Sequence, residues 1–442
     1  TYVAYLFASD AGGFGDDGSE SIIKCGSYTG TGAAGLEVDL GFEPQWLMFK
    51  RTDSTSDWSM FDVMRGIATG GDDARLRAQG SDAENTFNYV DVTATGFSLS
   101  YGGTDMNASG GTYIYIAIRR PMKTPESGTE VFATAQRDTT APIFEGGFPV
   151  DAAIIADVSG AWTNSPSMGS RLTGKSRLAT SNTNAEASDP SFLWDYMNGW
   201  GDGSGSYPEY YSWMFKRATG FFDVVAYTGD GTGATTGRDI NHNLGVVPDL
   251  MIIKKRNNTR EWRVGGPSVN FSSGDYEYNG SLNSDITFDG GNAGTVIIGG
   301  IFYYYRIPTI GHTATTFRVG YTSDVNASGD TYIAYLFATL AGVSKVGSYT
   351  GTGSNVDVDC GFSAGARFVL IKRTDSTGDW YVWDSVRGIV AGNDPYLLLN
   401  SSAAEVTSTD YIDPLSSGFT VTSSAPAALN ASGGTYIFLA IA

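Results

Sequence analysis

Apolar residues in this chain come in short runs separated by polar turn residues. The run TYIYIAI, from Thr112, alternates Tyr113 and Tyr115 with Ile114, Ile116 and Ile118, which suits a strand with two differently buried faces. WLMFK, from Trp46, and LIKR, from Leu370, begin as nearly unbroken apolar runs, as interior strands of a sandwich do. Clusters of Gly, Asn, Asp and Ser punctuate these runs, and no segment sustains a capped 3.6-residue period. Gly is frequent, at 58, and Pro is modest, at 14. The pattern predicts an all-β chain with many turns.

Internal repeats organise the pattern further. Gly26 to Trp58 and Gly347 to Trp380 both begin GSYTGTG and both pass a Gly-Phe pair into an apolar strand. That strand runs WLMFKRTDSTSDW in one and FVLIKRTDSTGDW in the other. Each continues through an Arg-Gly turn and an Ala-Glu turn, and closes on NASGGTY. A more worn copy starts at Val224 and closes on NASGDTYIAYLFAT. Thr-Tyr pairs begin at Thr1, Thr112, Thr331 and Thr435, and the middle spacing is about twice the others. A fourth, degenerate copy is therefore expected inside it, with Gly147 to Trp162 as its core and YSWMFKRA, from Tyr211, as its closing strand.

The expected fold is four tandem antiparallel β-sandwich modules, jelly-roll-like and about 100 residues each, strung as beads along a rod. The boundaries are 20–121, 126–219, 220–341 and 344–442, preceded by an orphan closing strand at 1–10. Tyr2 to Phe7 is expected to be a strand. Either the sequence is a section of a longer array, or this spare strand pairs with a neighbouring molecule by strand addition.

A net charge of −19 argues against nucleic acid, whose phosphates need clusters of Lys and Arg. No apolar stretch is long enough for a membrane helix. The two cysteines, Cys25 and Cys360, occupy different repeat positions and are expected to be buried small apolar residues, not a disulfide. His242 and His312 lack companion ligands at metal-binding spacing, which leaves them as packing residues. No nucleophile elbow or phosphate loop is present. The acidic loops at Gly15, Gly70 and Gly392 leave calcium conceivable, but none has calcium-loop spacing, and solvated turns are the expectation. Asn107, Asn326 and Asn430 each begin Asn-Ala-Ser at one module position before a strand, so a turn motif explains them better than glycosylation.

The second module departs most from the others, with SFLWDYMNGWGDGSGSYPEYYSW. Aromatic rings beside carboxylates suit a sugar, whose C–H faces stack on rings while its hydroxyls bond to acids. Trp194, Trp200, Asp202, Tyr207 and Tyr210 are the glycan-binding candidates. The alternative is a loop packed by its own aromatics. YEYNG, from Tyr276, and IFYYYRIP, from Ile301, form a weaker second candidate. No catalytic residue, metal ligand or cofactor is assigned.

The string running from LIKRTDSTGDW through WDSVRG and LLLNSSAAE to NASGGTYI resembles a module of tail-fibre and related virion proteins of tailed phages, especially those of marine and cyanobacterial hosts. The fourth module carries the resemblance nearly in full and the first closely; the third is partial. It implies a non-enzymatic virion tail appendage that attaches to a host surface glycan or receptor, beside other tail proteins. Fibres of this kind are commonly homotrimers. The alternative is a purely structural tail or capsid decoration; a polysaccharide depolymerase is the third reading.

Overall fold

The structure, a computed structural model, describes the chain except residues 1, 16, 161–165, 202–208, 270, 274–275, 289–292 and 299–300. It is all-β, and every strand pairing among the described residues is antiparallel. The chain forms two compact units. Unit 1 is Thr1–Lys123 with Arg171–Gly174 and Trp194–Tyr196, and unit 2 is the remainder.

The four expected repeats share one large-sheet topology. In each, the closing strand lies between the opening strand and the third strand, and the fourth follows outward; next comes the fifth in modules 1, 2 and 4, and Gly280–Ser281 in module 3. The closing strands are Thr112–Arg119, Tyr210–Phe215, Thr331–Phe337 and Thr435–Ile441. The strands of the expected second module have this order too. A smaller sheet covers the inner face. In module 4, Val358, Phe419, Val421 and Ile412 of that sheet pack on Val369, Ile371, Tyr436 and Phe438 of the large one. In module 3, Ile240, Phe317 and Val319 do the same against Met251, Ile253 and Tyr332.

The repeated words have mechanical roles. The buried Asn430 side chain accepts from Thr352 N at 2.9 Å and donates to Ser354 O at 2.8 Å, tying the Gly-Thr-Gly turn to the closing strand. Asn107 and Asn326 make the same tie. The Tyr of the opening strand stacks on the Tyr of the closing strand at 5.0, 5.2 and 4.8 Å in modules 1, 3 and 4. The Asn-Ala-Ser sequences are thus buried turn ties, as expected.

In unit 2, modules 2, 3 and 4 touch in a cycle, not as beads in a line. Where module 3 meets module 2, Glu186 N donates to Arg256 O at 2.7 Å and Arg260 N to Thr183 O at 2.9 Å. The Trp262 indole Nε1 donates to Ala179 O at 2.8 Å. Module 4 repeats this on module 3: Phe288 N to Thr374 O at 3.1 Å, Gly378 N to Asp285 O at 2.9 Å, and Trp380 Nε1 to Ser281 O at 2.9 Å. Module 2 closes the cycle on module 4, where Glu405 N donates to Val158 O at 2.9 Å. The matching indole, Trp162, lies outside the described residues. Inside the ring Phe215 packs against Phe132, Phe222, Phe337 and Phe368, with centroids 5.3 to 6.3 Å apart.

Two expectations are corrected in unit 1. Tyr2 to Phe7 is not a strand: it has no ladder partner among the described residues, and Tyr2, Val3, Tyr5, Leu6 and Phe7 are exposed. A strand needs a neighbour to take its N–H and C=O groups, and none stands there. The joint behind it is nevertheless formed. Cys25 N donates to Ser9 Oγ and Asp10 N to Ile23 O, as Val346 N donates to Thr339 Oγ1 and Leu340 N to Ser344 O between modules 3 and 4. Cys25, expected inside, is only half-buried, whereas Cys360 is buried. Cys25 lies on the outer sheet face of module 1, beside Ser9 and Asp10.

Candidate functional site

The aromatic candidates of module 2 do not present a surface. Trp200 stacks on Phe144 at 5.2 Å, packs on Phe192 at 5.0 Å, and donates its Nε1 to Ser212 Oγ at 3.0 Å. It is 1% exposed. Trp194 belongs to unit 1, where it is buried and its Nε1 donates to Gly174 O at 2.9 Å. Neither indole has a ring face open to a sugar. Tyr210 is half-buried and begins the closing strand of its module. Asp202 and Tyr207 lie outside the described residues. The alternative reading of this segment, a loop packed by its own aromatics, describes what Trp194 and Trp200 do.

The titratable candidates are also structural. His242 Nδ1 accepts from Leu244 N at 3.1 Å, and His312 Nδ1 accepts from Arg318 N at 3.0 Å. Burial lowers both imidazoles below their usual range. No cluster of three His, Cys, Asp or Glu side chains suits a metal among the described residues. Two of the acidic loops are exposed turns that each contain one buried carboxyl. Asp73 and Asp394 are wholly buried. Asp73 accepts from Ala68 N, Tyr89 N and Val90 N, and Asp394 from Tyr411 N and Ile412 N. Burial pushes their carboxyls up to about 8 and about 7, against the pull of those N–H donors.

The weaker sequence candidate, IFYYYRIP, does reach an open site. A groove of about 490 Å³ is lined by Arg260, Glu261, Arg263, Arg306 and Asp324 of module 3, with hydroxyls from Thr259, Thr322, Ser323 and, in module 2, Thr183. Its centre is Asp324. Arg263 Nη2 and Arg306 Nε each lie 2.8 Å from Asp324 Oδ2, and Arg260 Nε is 3.7 Å from Oδ1. Arg263 also pairs with Glu261 at 2.5 Å. Arg263 belongs to a strand, Arg263–Gly265, while Arg306 follows Ile301–Tyr304 and Asp324 lies in a turn. Two strand ends and a turn therefore converge on one carboxylate.

Burial raises Asp324, but the charges of Arg263 and Arg306 and their hydrogen bonds outweigh it, leaving the carboxyl below its usual range. Three guanidiniums facing two carboxylates leave one positive charge in excess, on a chain whose net charge is −19. Tyr305 and Tyr321, which immediately precede the groove residues Arg306 and Thr322, pack at 5.5 Å, and Tyr321 is 37% exposed. Fixed donors and acceptors stand together here. The sequence signal was the run of tyrosines ending in Arg306; the contribution of Asp324, hidden between Ser323 and the Val-Asn-Ala-Ser turn, was missed.

Fold and site together define an all-β repeat protein with a charged surface groove. A family profile, the domain of unknown function DUF7483, matches residues 1–121 and 168–442. The chain belongs to that family. No curated protein matches it.

Proposed function

We propose that the chain is a structural and adhesive protein of a virion appendage, a phage tail fibre whose module 3 groove takes a host-surface glycan. The observation that supports this reading is the groove itself, with the fixed charges of Arg260, Arg306, Asp324 and Glu261. Planar guanidiniums donate to hydroxyls and carboxylates in fixed directions. The excess positive charge favours a sugar bearing a carboxylate. The groove is not read as catalytic. Glycoside hydrolysis needs a carboxylic acid kept protonated, whereas Asp324 is held low by its arginines.

A second reading, a purely structural tail or capsid component, is favoured by the burial of Trp194 and Trp200. A glycan-array screen of the purified chain separates the two, with Arg260→Ala and Arg306→Ala alongside. The adhesive reading expects an acidic-glycan signal in the parent chain that falls at least tenfold in both variants. Binding unchanged in both removes the groove from the proposal, and an array with no signal favours the structural reading.

A further inference from the structure

The repeats separate what the fold requires of module 3 from what module 3 adds. Its turn after the third strand keeps the shared ties. The buried Lys254 ammonium donates to Arg260 O at 2.8 Å, as Lys372 donates to Gly378 O and Lys50 to Ser56 O. Lys254 also reaches Thr183 O of module 2 at 3.2 Å, as Lys372 reaches Asp285 O of module 3 at 2.9 Å. Arg260 therefore occupies the position of Ser56 and Gly378, where the tie needs no long side chain. Arg263 stands opposite Ile253 in its ladder, where module 4 sets Tyr381 opposite Ile371 and module 1 sets Ser59 opposite Phe49. Asp324 takes the place of Ala428, each preceding the residue whose carbonyl accepts from the opening-strand tyrosine. Module 1 has Asp105 there, paired with Arg75 at 3.2 Å. The cluster of arginines is an addition of module 3, not a demand of the repeat.

Within the cluster the three guanidiniums differ in what is left to them. Arg263 is buried and spends its donors inside the protein: Nη1 donates to Ser281 Oγ at 2.9 Å and Nε to Asp324 Oδ2 at 3.0 Å, beside Glu261. Arg306 Nε donates to the same Asp324 oxygen. Asp324 and Glu261 thus balance two of the three positive charges. The third, Arg260, is open: its side chain is 47% exposed, against 6% for Arg263 and 17% for Arg306. Its Nε donates to Ser323 Oγ at 3.1 Å and its Nη1 to Thr259 O at 3.4 Å, while its Nη2 has no hydrogen-bond partner among the described residues. Its backbone is fixed on both sides, because Arg260 N donates to Thr183 O at 2.9 Å and Arg260 O accepts from Lys254. A guanidinium anchored along one edge and open along the other, on a rigid mount, is preorganised for a planar anion.

We infer that Arg260 is the specificity-determining residue of the groove, and that it selects a glycan with one carboxylate on the bound sugar over neutral and polysulfated forms. The selection follows from the charges. One positive charge in excess matches one carboxylate, and a second anionic group on the same sugar would face Asp324 and Glu261. Arg263 and Arg306 hold Asp324 in place and act as positioning residues. The inference rests on the glycan reading of the groove and adds to it the residue that reads the ligand and the charge that it reads.

Matched probes on a glycan array test it: glycans bearing a uronic or sialic acid, the methyl esters of the same glycans, and sulfated glycans. Acid and ester share every ring and hydroxyl, so a preference between them reads the charge alone. The full chain should prefer each acid that it binds to its ester by about tenfold, the value of one charge-assisted hydrogen bond. Arg260→Gln keeps a donor and loses the charge, and should remove that preference. Arg260 is exposed, so circular dichroism should show the variant folded. Acid and ester bound alike, a preference that survives Arg260→Gln, or stronger binding of the sulfated probes overturns the inference; a signal that still falls in Arg306→Ala then leaves a glycan in the groove. No signal from any glycan overturns the inference together with the reading on which it rests.

Discussion

At the scale of single residues, Asp73 and Asp394 carry a testable charge. Each is a buried carboxyl bound by backbone N–H groups, and each is raised above an unfolded value of 3.8, to about 8 and about 7. The folded state therefore holds protons that the unfolded chain has released, so stability falls as pH rises from about 4 towards 8. For Asp73 the contribution is full below the unfolded value and lost as pH passes through about 8. Urea unfolding followed at module 1 should show a lower midpoint at pH 8 than at pH 5. Asp73→Asn should flatten that slope. It should also cost about 1–3 kcal/mol at pH 5, because the amide turns an N–H toward a donor where a carboxyl oxygen accepted. A slope unchanged in the variant would assign the pH dependence to other groups.

At the scale of elements, the indoles Trp262 and Trp380 are equivalent ties, each donating from the fourth-strand edge to a carbonyl of the preceding module. Trp262→Phe and Trp380→Phe each leave a carbonyl, Ala179 O or Ser281 O, without its donor. Each should lower the unfolding free energy by about 1–3 kcal/mol in urea titrations. A loss near zero in both would mean that these bonds do not hold the modules together. The elements themselves were legible in the sequence. Alternation in TYIYIAI marked the closing strands, and the doubled Thr-Tyr interval pointed to the strand Tyr210–Phe215, which takes the closing position in its sheet. The ties were less legible, because a Trp after a hairpin reads alike whether its indole meets its own core or a neighbour's carbonyl. The same ambiguity made Trp194 and Trp200 read as sugar candidates. Trp200 among acids and tyrosines has the composition of a binding loop, and only its stacking on Phe144 shows that the ring is spent on packing. Tyr2 to Phe7 has a strand's sequence but no partner, and ladder partners are not a local property.

At the scale of the whole molecule, ring closure explains why the closing strands are apolar on both faces. One face fills the module's own sandwich, and in unit 2 the other meets the neighbouring modules. Phe215 is where this converges: its ring meets Phe132 of its own module, Phe222 and Phe337 of module 3, and Phe368 of module 4. The Arg367 Nη2 of module 4 also donates to Phe132 O at 3.0 Å. Because three modules share one apolar centre, they should unfold as one cooperative body. Calorimetry should resolve modules 2 to 4 as a single transition, with an enthalpy about three times that of a 100-residue domain, near 0.7 kcal/mol per residue. Phe215→Ala removes the ring at the centre and should cost about 3–5 kcal/mol. It should lower the entire transition, not one third of it, because no module can keep its outer face dry once the centre opens. Three resolved transitions in the parent chain would show the modules to be independent. A variant in which only module 2 melts early would show the same, and would return the chain to the string of beads that its repeats suggested.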